Sequence, residues 1–352
     1  MATTSALIVI DGAQGEGGGA LLRTALVMSA LTQQSLRIDN VRGGTKHPSL
    51  DAEDLTLIQA LARCCKAETT GAELGSTSIA FLPTARPKGL TGALETIRTD
   101  TGRGPNALIV LNALLPVLAK TGVYSSLMVE GETYGFNSLS YDYFANVTVE
   151  ALKKAGLYSV PDLLRHGFGR ESEGEVSLDV EPSAIQGLQW NERGAMRGVF
   201  GVVATCGLPK IVGDRAMAHL KNMASNSGLQ IDAQQVNFDG RQTGAFITVW
   251  ARYDRGLGGG TAMGLRGVRA ETIAQSAFEQ AFDWMSSNAT VDSFLADQLL
   301  LPLVLADGPS VFSVPKLTQR LMTSIWVVKQ FAPIHITVRG IENGPGTITI
   351  QK

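Results

Sequence analysis

The hydrophobic pattern of the N-terminal part of the chain alternates between short apolar runs and longer stretches with helical spacing. Apolar residues recur about every 3.6 positions over 18–32, and Leu55, Ile58 and Leu61 share one face of a second such stretch. These stretches are typical of amphipathic helices, and the short runs around them are typical of strands. The predicted elements are strands at 6–11, 36–41, 68–73 and 78–82 and helices at 18–32 and 51–66. The pattern therefore predicts the order β-α-β-α-β-β.

The same order of elements recurs twice further along the chain. The second copy has predicted helices at 106–120 and 144–155 and strands at 125–129, 163–168 and 174–180. The third copy has predicted helices at 293–305 and 318–331 and strands at 311–314, 334–339 and 347–351. A single copy would leave one apolar sheet face uncovered, so we expect the three copies to pack against one another in one body.

A stretch between the second and third copies departs from this order. Its predicted elements are a strand at 198–205, a helix at 211–227, strands at 230–237 and 244–251 and a helix at 270–285. The glycine-rich segment 256–267 predicts a mobile loop before the last helix. The sequence thus predicts an α/β (α+β) fold: a main body formed by 1–187 and 289–352, with an inserted small β-α-β-β-α domain at 188–288.

The composition is that of an ordinary globular protein and limits the partners. The chain has 352 residues and a formal net charge of −2, so any contact with nucleic acid must come from a local basic patch. Cys64, Cys65 and Cys206 offer neither zinc-ligand spacing nor a disulfide framework, which favours a reduced cytoplasmic setting. The start of the chain lacks signal-peptide features, and no apolar run reaches the roughly 18 residues of a membrane span. The sequence is compatible with an oligomer.

The most informative segment is a glycine-rich loop between the first predicted strand and helix, with the sequence DGAQGEGGGALLR from Asp11 to Arg23. Glycines let a backbone approach an anion closely, and the free N–H groups at a helix start favour phosphate. The loop lacks the Gly-Lys-Ser/Thr of a P-loop, and a tight strand-to-helix turn is the alternative interpretation. Glu16 would repel a bare phosphate, so its position predicts a divalent metal ion between the two.

This loop resembles the N-terminal signature of RNA 3'-terminal phosphate cyclases. The resemblance continues over nearly the whole chain, through VRGG at 41–44, HPSL at 47–50, GAELG at 71–75, LRHGF at 164–168, NERG at 191–194 and FLADQL at 294–299. It implies a three-repeat α/β body with one inserted small domain. It also implies an ATP-dependent and metal-dependent reaction of the ligase class. In that reaction a histidine is adenylated, AMP passes to an RNA 3'-phosphate, and the 2'-hydroxyl then attacks to form a 2',3'-cyclic phosphate.

The resemblance assigns roles to residues of this chain. It implies that the loop binds ATP and that Glu16 also holds the Mg²⁺ or Mn²⁺, while Asn112 stands where the family has a glutamine near the nucleotide. Asp297 would contact the adenylate or the reacting histidine. The implied nucleotide-binding residues are Gln14, Gly15, Glu16, Gly17, Gly18, Asn112 and Asp297, and the implied RNA phosphate-binding residues are Arg23, Arg42 and Lys46. The alternatives are solvated surface charges for the arginines and a helix-surface carboxylate for Asp297.

The sequence departs from the family pattern where the catalytic histidine is expected, because Arg320 occupies that place in the segment QRLMTS at 319–324. An arginine stays protonated and cannot act as a nitrogen nucleophile, but it can bind a phosphate. Lys316 lies four residues upstream, one turn away if the segment is helical, and offers an alternative nucleophile, although an exposed lysine is the favoured interpretation. Glu53 replaces a family glutamine, and its charge would oppose an RNA phosphate.

Three functional hypotheses follow. The leading one is a cyclase-like enzyme acting on an RNA 3' end or a phosphorylated nucleotide, with Arg320, Asp297 and Lys316 as candidate catalytic residues. The second is a non-catalytic RNA-binding or ribosome-assembly factor, since one branch of the family lacks the histidine. That branch also lacks the glycine loop, which this chain keeps. The third is an enolpyruvyl-transferase-like activity, which rests on fold analogy alone.

Overall fold

A computed structural model describes residues 7–135, 138–240, 242–265 and 267–351. Residue 6, the first of the predicted N-terminal strand, and Arg266, in the predicted loop at 256–267, lie outside these ranges. Within the described residues, no helix has the length and apolar character needed to cross a membrane.

The first unit has the predicted order of elements. They are β1 (Ile8–Asp11), α1 (Gly19–Thr32), β2 (Leu36–Asp39), α2 (Ala52–Cys65), β3 (Glu68–Thr70) and β4 (Ile79–Leu82). The strands form a sheet in the order β1-β2-β4-β3, in which β1 and β2 are parallel and the other pairs are antiparallel. Asp51 fixes the start of α2, because its side chain accepts hydrogen bonds from the backbone N–H groups of Glu53 and Asp54.

The second unit repeats this topology. Its elements are β5 (Thr91–Ala93), α3 (Ala107–Ala119), β6 (Ser125–Glu130), α4 (Tyr141–Tyr143), a π-helical turn (Phe144–Thr148), α5 (Val149–Lys154), β7 (Ser159–Arg165) and β8 (Glu175–Val180). The sheet order is β5-β6-β8-β7, with β5 and β6 parallel. The hydrophobic pattern did not predict β5, because this strand of three exposed residues has no apolar alternation.

The inserted stretch forms its own sheet and corrects one prediction. Its elements are β9 (Met196–Cys206), α6 (Lys210–Asn226), β10 (Ile231–Phe238), β11 (Gly244–Tyr253), β12 (Gly256–Leu265) and α7 (Ala270–Ser286), and the sheet order is β10-β9-β11-β12. The loop prediction for 256–267 was wrong, because β12 pairs antiparallel with β11 along its whole length. The module is therefore β-α-β-β-β-α.

The glycines of β12 are needed for close packing against α7. A Cβ atom on Gly260 would lie 2.5 Å from the carbonyl oxygen of Ala277, and one on Gly258 would lie 2.8 Å from the Trp284 ring. The helix thus supplies the apolar packing that the strand sequence lacks. This is why a strand without apolar alternation is stable here.

The third unit consists of α8 (Ser293–Leu305), β13 (Ser310–Val314), α9 (Gln319–Phe331), β14 (His335–Gly340) and β15 (Gly346–Gln351). Its sheet order, β13-β15-β14, matches β2-β4-β3 and β6-β8-β7. Gln186 and Gln189 form parallel bridges with Asp307 and Val311. The segment that precedes β9 therefore lies beside β13, where the other units have their first strand.

The helices of the three units share one hydrophobic core. Leu26 of α1, Leu111 of α3, Leu299 of α8 and Val327 of α9 are all fully buried in it. The insert has a second core, formed where α6 and α7 pack on its sheet. The mixed α/β class predicted from the sequence is confirmed. The shared core also sets the position of the site, because it brings the N-terminal ends of α1, α8 and α9 together.

Candidate functional site

The glycine-rich loop between β1 and α1 is held in a conformation that suits glycine. Gly15 and Gly17 have φ angles of +62° and +57°, in the left-handed region. The carbonyl oxygen of Gly17 accepts a hydrogen bond of 3.0 Å from the Gly44 N–H group. Among the described residues, no side chain caps the start of α1 at Gly18, so its first backbone N–H groups have no side-chain acceptor.

The loop is fixed to the third unit by α9. Thr323 accepts a hydrogen bond of 2.9 Å from the Glu16 backbone N–H through its Oγ1 atom. In the same region, Arg320 Nε lies 3.3 Å from each carboxylate oxygen of Glu16 and 4.0 Å from Asp297 Oδ2. The structure thus brings together Glu16, Asp297 and Arg320, three predicted site residues from distant parts of the chain.

The carboxyl group of Asp297 has a perturbed pKa. Burial raises the pKa of its carboxyl to about 7, although the Arg320 charge and a hydrogen bond from Thr318 act in the opposite direction. A carboxyl group with this pKa can exchange protons near neutral pH, which is what a general acid or base requires. The helix-surface alternative for Asp297 is wrong, because its side chain is only 14% exposed.

A cavity of about 170 Å³ joins four of the predicted site residues. Arg23 reaches it from α1, Asn112 from α3, Asp297 from α8 and Arg320 from α9. Apolar side chains form much of the remaining wall, including Ile109, Leu139, Phe294, Leu301 and Pro302. An apolar wall with a few convergent polar groups is typical of a small-ligand site.

A second cleft, of about 500 Å³, lies between the main body and the insert. Phe294 and Arg320 line it from the body, while β12 and Gln280 of α7 line it from the insert. Ser138 and Arg320 also line the first cavity, so the two spaces adjoin. The sequence did not predict that β12 lines this cleft, because it predicted a loop where β12 forms.

The predicted phosphate-binding arginines are paired with carboxylates. Arg23 Nη1 lies 3.0 Å from Glu53 Oε1, and Arg42 contacts both Asp51 and Asp54. Arg42 lines none of the cavities described above. Its interpretation as a solvated surface charge is nevertheless wrong, because its side chain is only 22% exposed.

A third arginine joins the same network. Arg170 lies 3.3 Å from Asp51 and 3.8 Å from Glu53. The network perturbs its carboxyl groups in opposite directions. Burial raises the pKa of Asp51, but the charges of Arg42 and Arg170 and the hydrogen bonds from Arg42 and the Asp54 N–H group together outweigh it and lower that pKa to about 2. Burial and the Asp51 charge raise the pKa of Asp54 to about 7.

Two further candidates lie at the surface. Lys46 and Lys316 are exposed, and neither lines the cavities described above. Helix α9 begins at Gln319, so Lys316 precedes it. The premise that Lys316 lies one helical turn from Arg320 is therefore wrong.

Comparison with known proteins places this chain in a family. The family model for RNA 3'-terminal phosphate cyclase matches residues 14–338, which include the glycine loop and the Arg320 segment. The chain belongs to the RNA 3'-terminal phosphate cyclase family. Sequence resemblance to this family is thereby confirmed.

Relatives that carry the cyclase name span the whole chain. The RNA 3'-terminal phosphate cyclase of Methylococcus capsulatus is 33% identical over 348 residues, covering 98% of this chain and 96% of that protein. The protein of the same name from Methanopyrus kandleri is 34% identical over 354 residues, with coverage of 98% and 99%. The one from Gloeothece citriformis is 32% identical over 332 residues, with coverage of 94% and 95%.

One solved structure, the enolpyruvyl transferase NikO from Streptomyces tendae, is similar with a TM-score of 0.39 and 10% identity. The match covers 98% of this chain and 48% of that one. A likeness of this size gives no support to the enolpyruvyl-transferase hypothesis.

The residues of this cyclase-family protein do not fit a divalent ion held by the protein alone. Among the described residues, no three His, Cys, Asp or Glu side chains are grouped as metal ligands. Glu16, the predicted metal ligand, instead faces the Arg320 guanidinium with both carboxylate oxygens. The positively charged Arg320 guanidinium therefore occupies the position beside Glu16 where the metal ion was expected.

Proposed function

We propose that this chain binds ATP and a phosphorylated RNA 3' end in the cavity between α1, α3, α8 and α9 and in the cleft that adjoins it, and converts the terminal phosphate to a 2',3'-cyclic phosphate. The observation that carries the proposal is the convergence of Arg23, Asn112, Asp297 and Arg320 on one cavity in a member of the cyclase family. Arginine side chains suit phosphate oxygens because the guanidinium presents a planar set of donors.

Because an arginine occupies position 320, the proposed reaction does not pass through an adenylated enzyme. Its guanidinium has no free lone pair at physiological pH, so it cannot attack the α-phosphorus of ATP. In the proposed route an oxygen of the bound RNA 3'-phosphate attacks that phosphorus directly, and the bond to pyrophosphate breaks. The 2'-hydroxyl then attacks the 3'-phosphorus, and AMP leaves.

Two side chains serve this route. Asp297, whose pKa is raised to about 7, is the group we assign to accept the proton of the 2'-hydroxyl. Arg320 stabilises the negative charge that develops on the phosphorus oxygens, because its guanidinium is held in place by Glu16. Lys316 remains the alternative acceptor of AMP.

The experiment follows both products. The protein is incubated with α-labelled ATP and an RNA ending in a 3'-phosphate, and the RNA terminus and protein-bound label are analysed separately. We expect cyclic phosphate to form and no label to stay on the denatured protein. Label that stays on the wild-type chain and disappears in Lys316→Ala would contradict the direct route and favour the lysine.

One observation favours a non-catalytic RNA-binding factor as the second candidate. Arg320, which cannot act as a nitrogen nucleophile, stands where the resemblance places the catalytic histidine, so the adenylated enzyme cannot form at that position. RNA binding without either cyclic phosphate or protein-bound AMP in the same experiment would establish this alternative over the cyclase.

A further inference from the structure

Glu16 and Asp297 share the guanidinium of Arg320. Its Nε atom lies 3.3 Å from both Glu16 oxygens and 4.0 Å from Asp297 Oδ2. The two carboxylates come from the loop after β1 and from α8, and they have few other polar partners. Asp297 has one contact with a hydroxyl group, at 3.5 Å from Thr318 Oγ1.

The position of the guanidinium is set by the backbone on both sides. Arg320 lies in the first turn of α9, and the hydroxyl of Thr318 caps that helix by accepting the Leu321 N–H group. Thr323, one turn further along, accepts the Glu16 N–H group. The loop that carries Glu16 and the helix that carries Arg320 are therefore joined directly, so the pair is preorganised.

The charges at this point leave little room for a second cation. The cavity lined by Glu16, Asp297, Thr318 and Arg320 has a volume of about 360 Å³, so space does not exclude an ion. Charge disfavours it, because an ion bound by both carboxylates would lie beside the Arg320 guanidinium, and like charges repel each other strongly in a partly buried site.

We infer that the Arg320 guanidinium replaces a protein-bound divalent cation between Glu16 and Asp297, so that phosphate binding at this site needs no divalent metal. The inference rests on the proposed function only for its ligand, ATP. Its structural part concerns the two carboxylates and the guanidinium. Arg320 thus acts as a fixed phosphate-binding cation, and Glu16 acts as its positioning residue.

The structural part is tested by titrating the protein with Mn²⁺ and following the ion's electron paramagnetic resonance signal. We expect Arg320→Ala to create a Mn²⁺ site at least about tenfold tighter than any in the wild-type protein, because the guanidinium charge is removed. Glu16→Gln in the same background should abolish the new site. Arg320→Lys, which keeps the charge, should still exclude the ion.

Two results of the Mn²⁺ titration would contradict the structural part of the inference. Equal Mn²⁺ affinity in the wild-type protein and Arg320→Ala would overturn the inference. So would a new site that survives Glu16→Gln. The Arg320 side chain is 42% exposed, so its truncation should leave the fold intact, and a melting curve checks this.

The ligand part is tested by equilibrium binding of ATP with excess EDTA or with Mg²⁺. We expect the wild-type affinity to change less than about threefold, since the guanidinium supplies the positive charge in both conditions. In Arg320→Ala, ATP binding should become dependent on Mg²⁺. ATP binding to the wild-type protein only with Mg²⁺ would overturn the inference. No ATP binding in either condition would instead contradict the proposed function, and the Mn²⁺ titration would still decide the structural part.

Discussion

Gly15 and Thr323 are packed so closely that no side chain fits between them. A Cβ atom on Gly15 would lie 2.2 Å from Thr323 Oγ1, the atom that accepts the Glu16 N–H group. This contact joins the glycine loop of the first unit to the helix α9 of the third. The loop conformation is thus coupled to the position of Arg320.

Gly15→Ala should destabilise the protein and separate the loop from α9. The positive φ angle alone costs roughly 1–2 kcal/mol for a residue with a Cβ atom, and the clash with Thr323 adds to this cost. The matched control is Gly102→Ala, because Gly102 has a φ angle of +78° but no atom within 4 Å of its Cβ position. We expect a clearly lower melting temperature for Gly15→Ala than for Gly102→Ala by calorimetry. Equal losses would show that the contact with Thr323 contributes nothing.

Glu53→Gln should strengthen the binding of RNA that ends in a 3'-phosphate. Glu53 is 4% exposed and its carboxylate accepts hydrogen bonds from Arg23 and from the Asn106 N–H group. Without that charge the Arg23 guanidinium becomes available to a phosphate, and a charge-assisted hydrogen bond of about 1.5–3 kcal/mol corresponds to a gain of about tenfold or more.

The measurement is fluorescence anisotropy with RNA ending in 3'-phosphate or 3'-hydroxyl. The gain should appear only with the phosphate. Glu279→Gln, an exposed change of the same charge on α7, should leave both affinities unchanged. A similar gain in that control would show that the effect reflects net charge and not Arg23.

Arg320→His should restore the ability to form a protein–AMP adduct. A neutral imidazole has a nitrogen lone pair, and at this position it would face Glu16 and Asp297, as the arginine does. We expect labelled AMP to stay on the denatured variant after incubation with ATP, while Arg320→Gln, which has no such nucleophile, stays unlabelled. An unlabelled histidine variant that still binds ATP would contradict this prediction.

The protein should be more stable at pH 5.5 than at pH 8. Burial raises the pKa of Glu132 and Asp297 to about 7 and that of Asp142 to about 6. The folded state therefore holds more protons than the unfolded state between about pH 4 and pH 7, and stability falls as the pH rises through this window. The Asp51 carboxyl, whose pKa is lowered to about 2, contributes stability that is lost only as the pH falls below about 4.

Calorimetry at the two pH values measures this difference. Glu132→Gln should reduce it, because an amide stays neutral at both pH values and can keep the hydrogen bond with Asn106. Glu95→Gln, an exposed change, should leave the difference as it is in the wild-type protein. A melting temperature that rises from pH 5.5 to pH 8 would contradict the prediction.

Local patterns in the sequence were enough for most of the secondary structure. Helical spacing predicted α8 at its observed limits and α1 within one residue. The apolar stripe of such a helix follows directly from the spacing of its apolar residues along the chain. The glycine loop was also recognisable, since Gly15 and Gly17 adopt the positive φ angles that only glycine adopts without cost.

The tertiary structure decided what depends on neighbours distant in the sequence. Strand β12 forms because it pairs with β11 and its glycines pack against α7. Its own residues carry no apolar alternation, so the sequence pattern could not predict it. Glu16 and Arg320 are 304 positions apart, and their pairing exists only because the first and third units share a core. The sequence by itself determined the family and the presence of an arginine at position 320. Packing of the units determined that this arginine faces a carboxylate on either side, because such a charge pairing is set by distance in space and not by spacing along the chain.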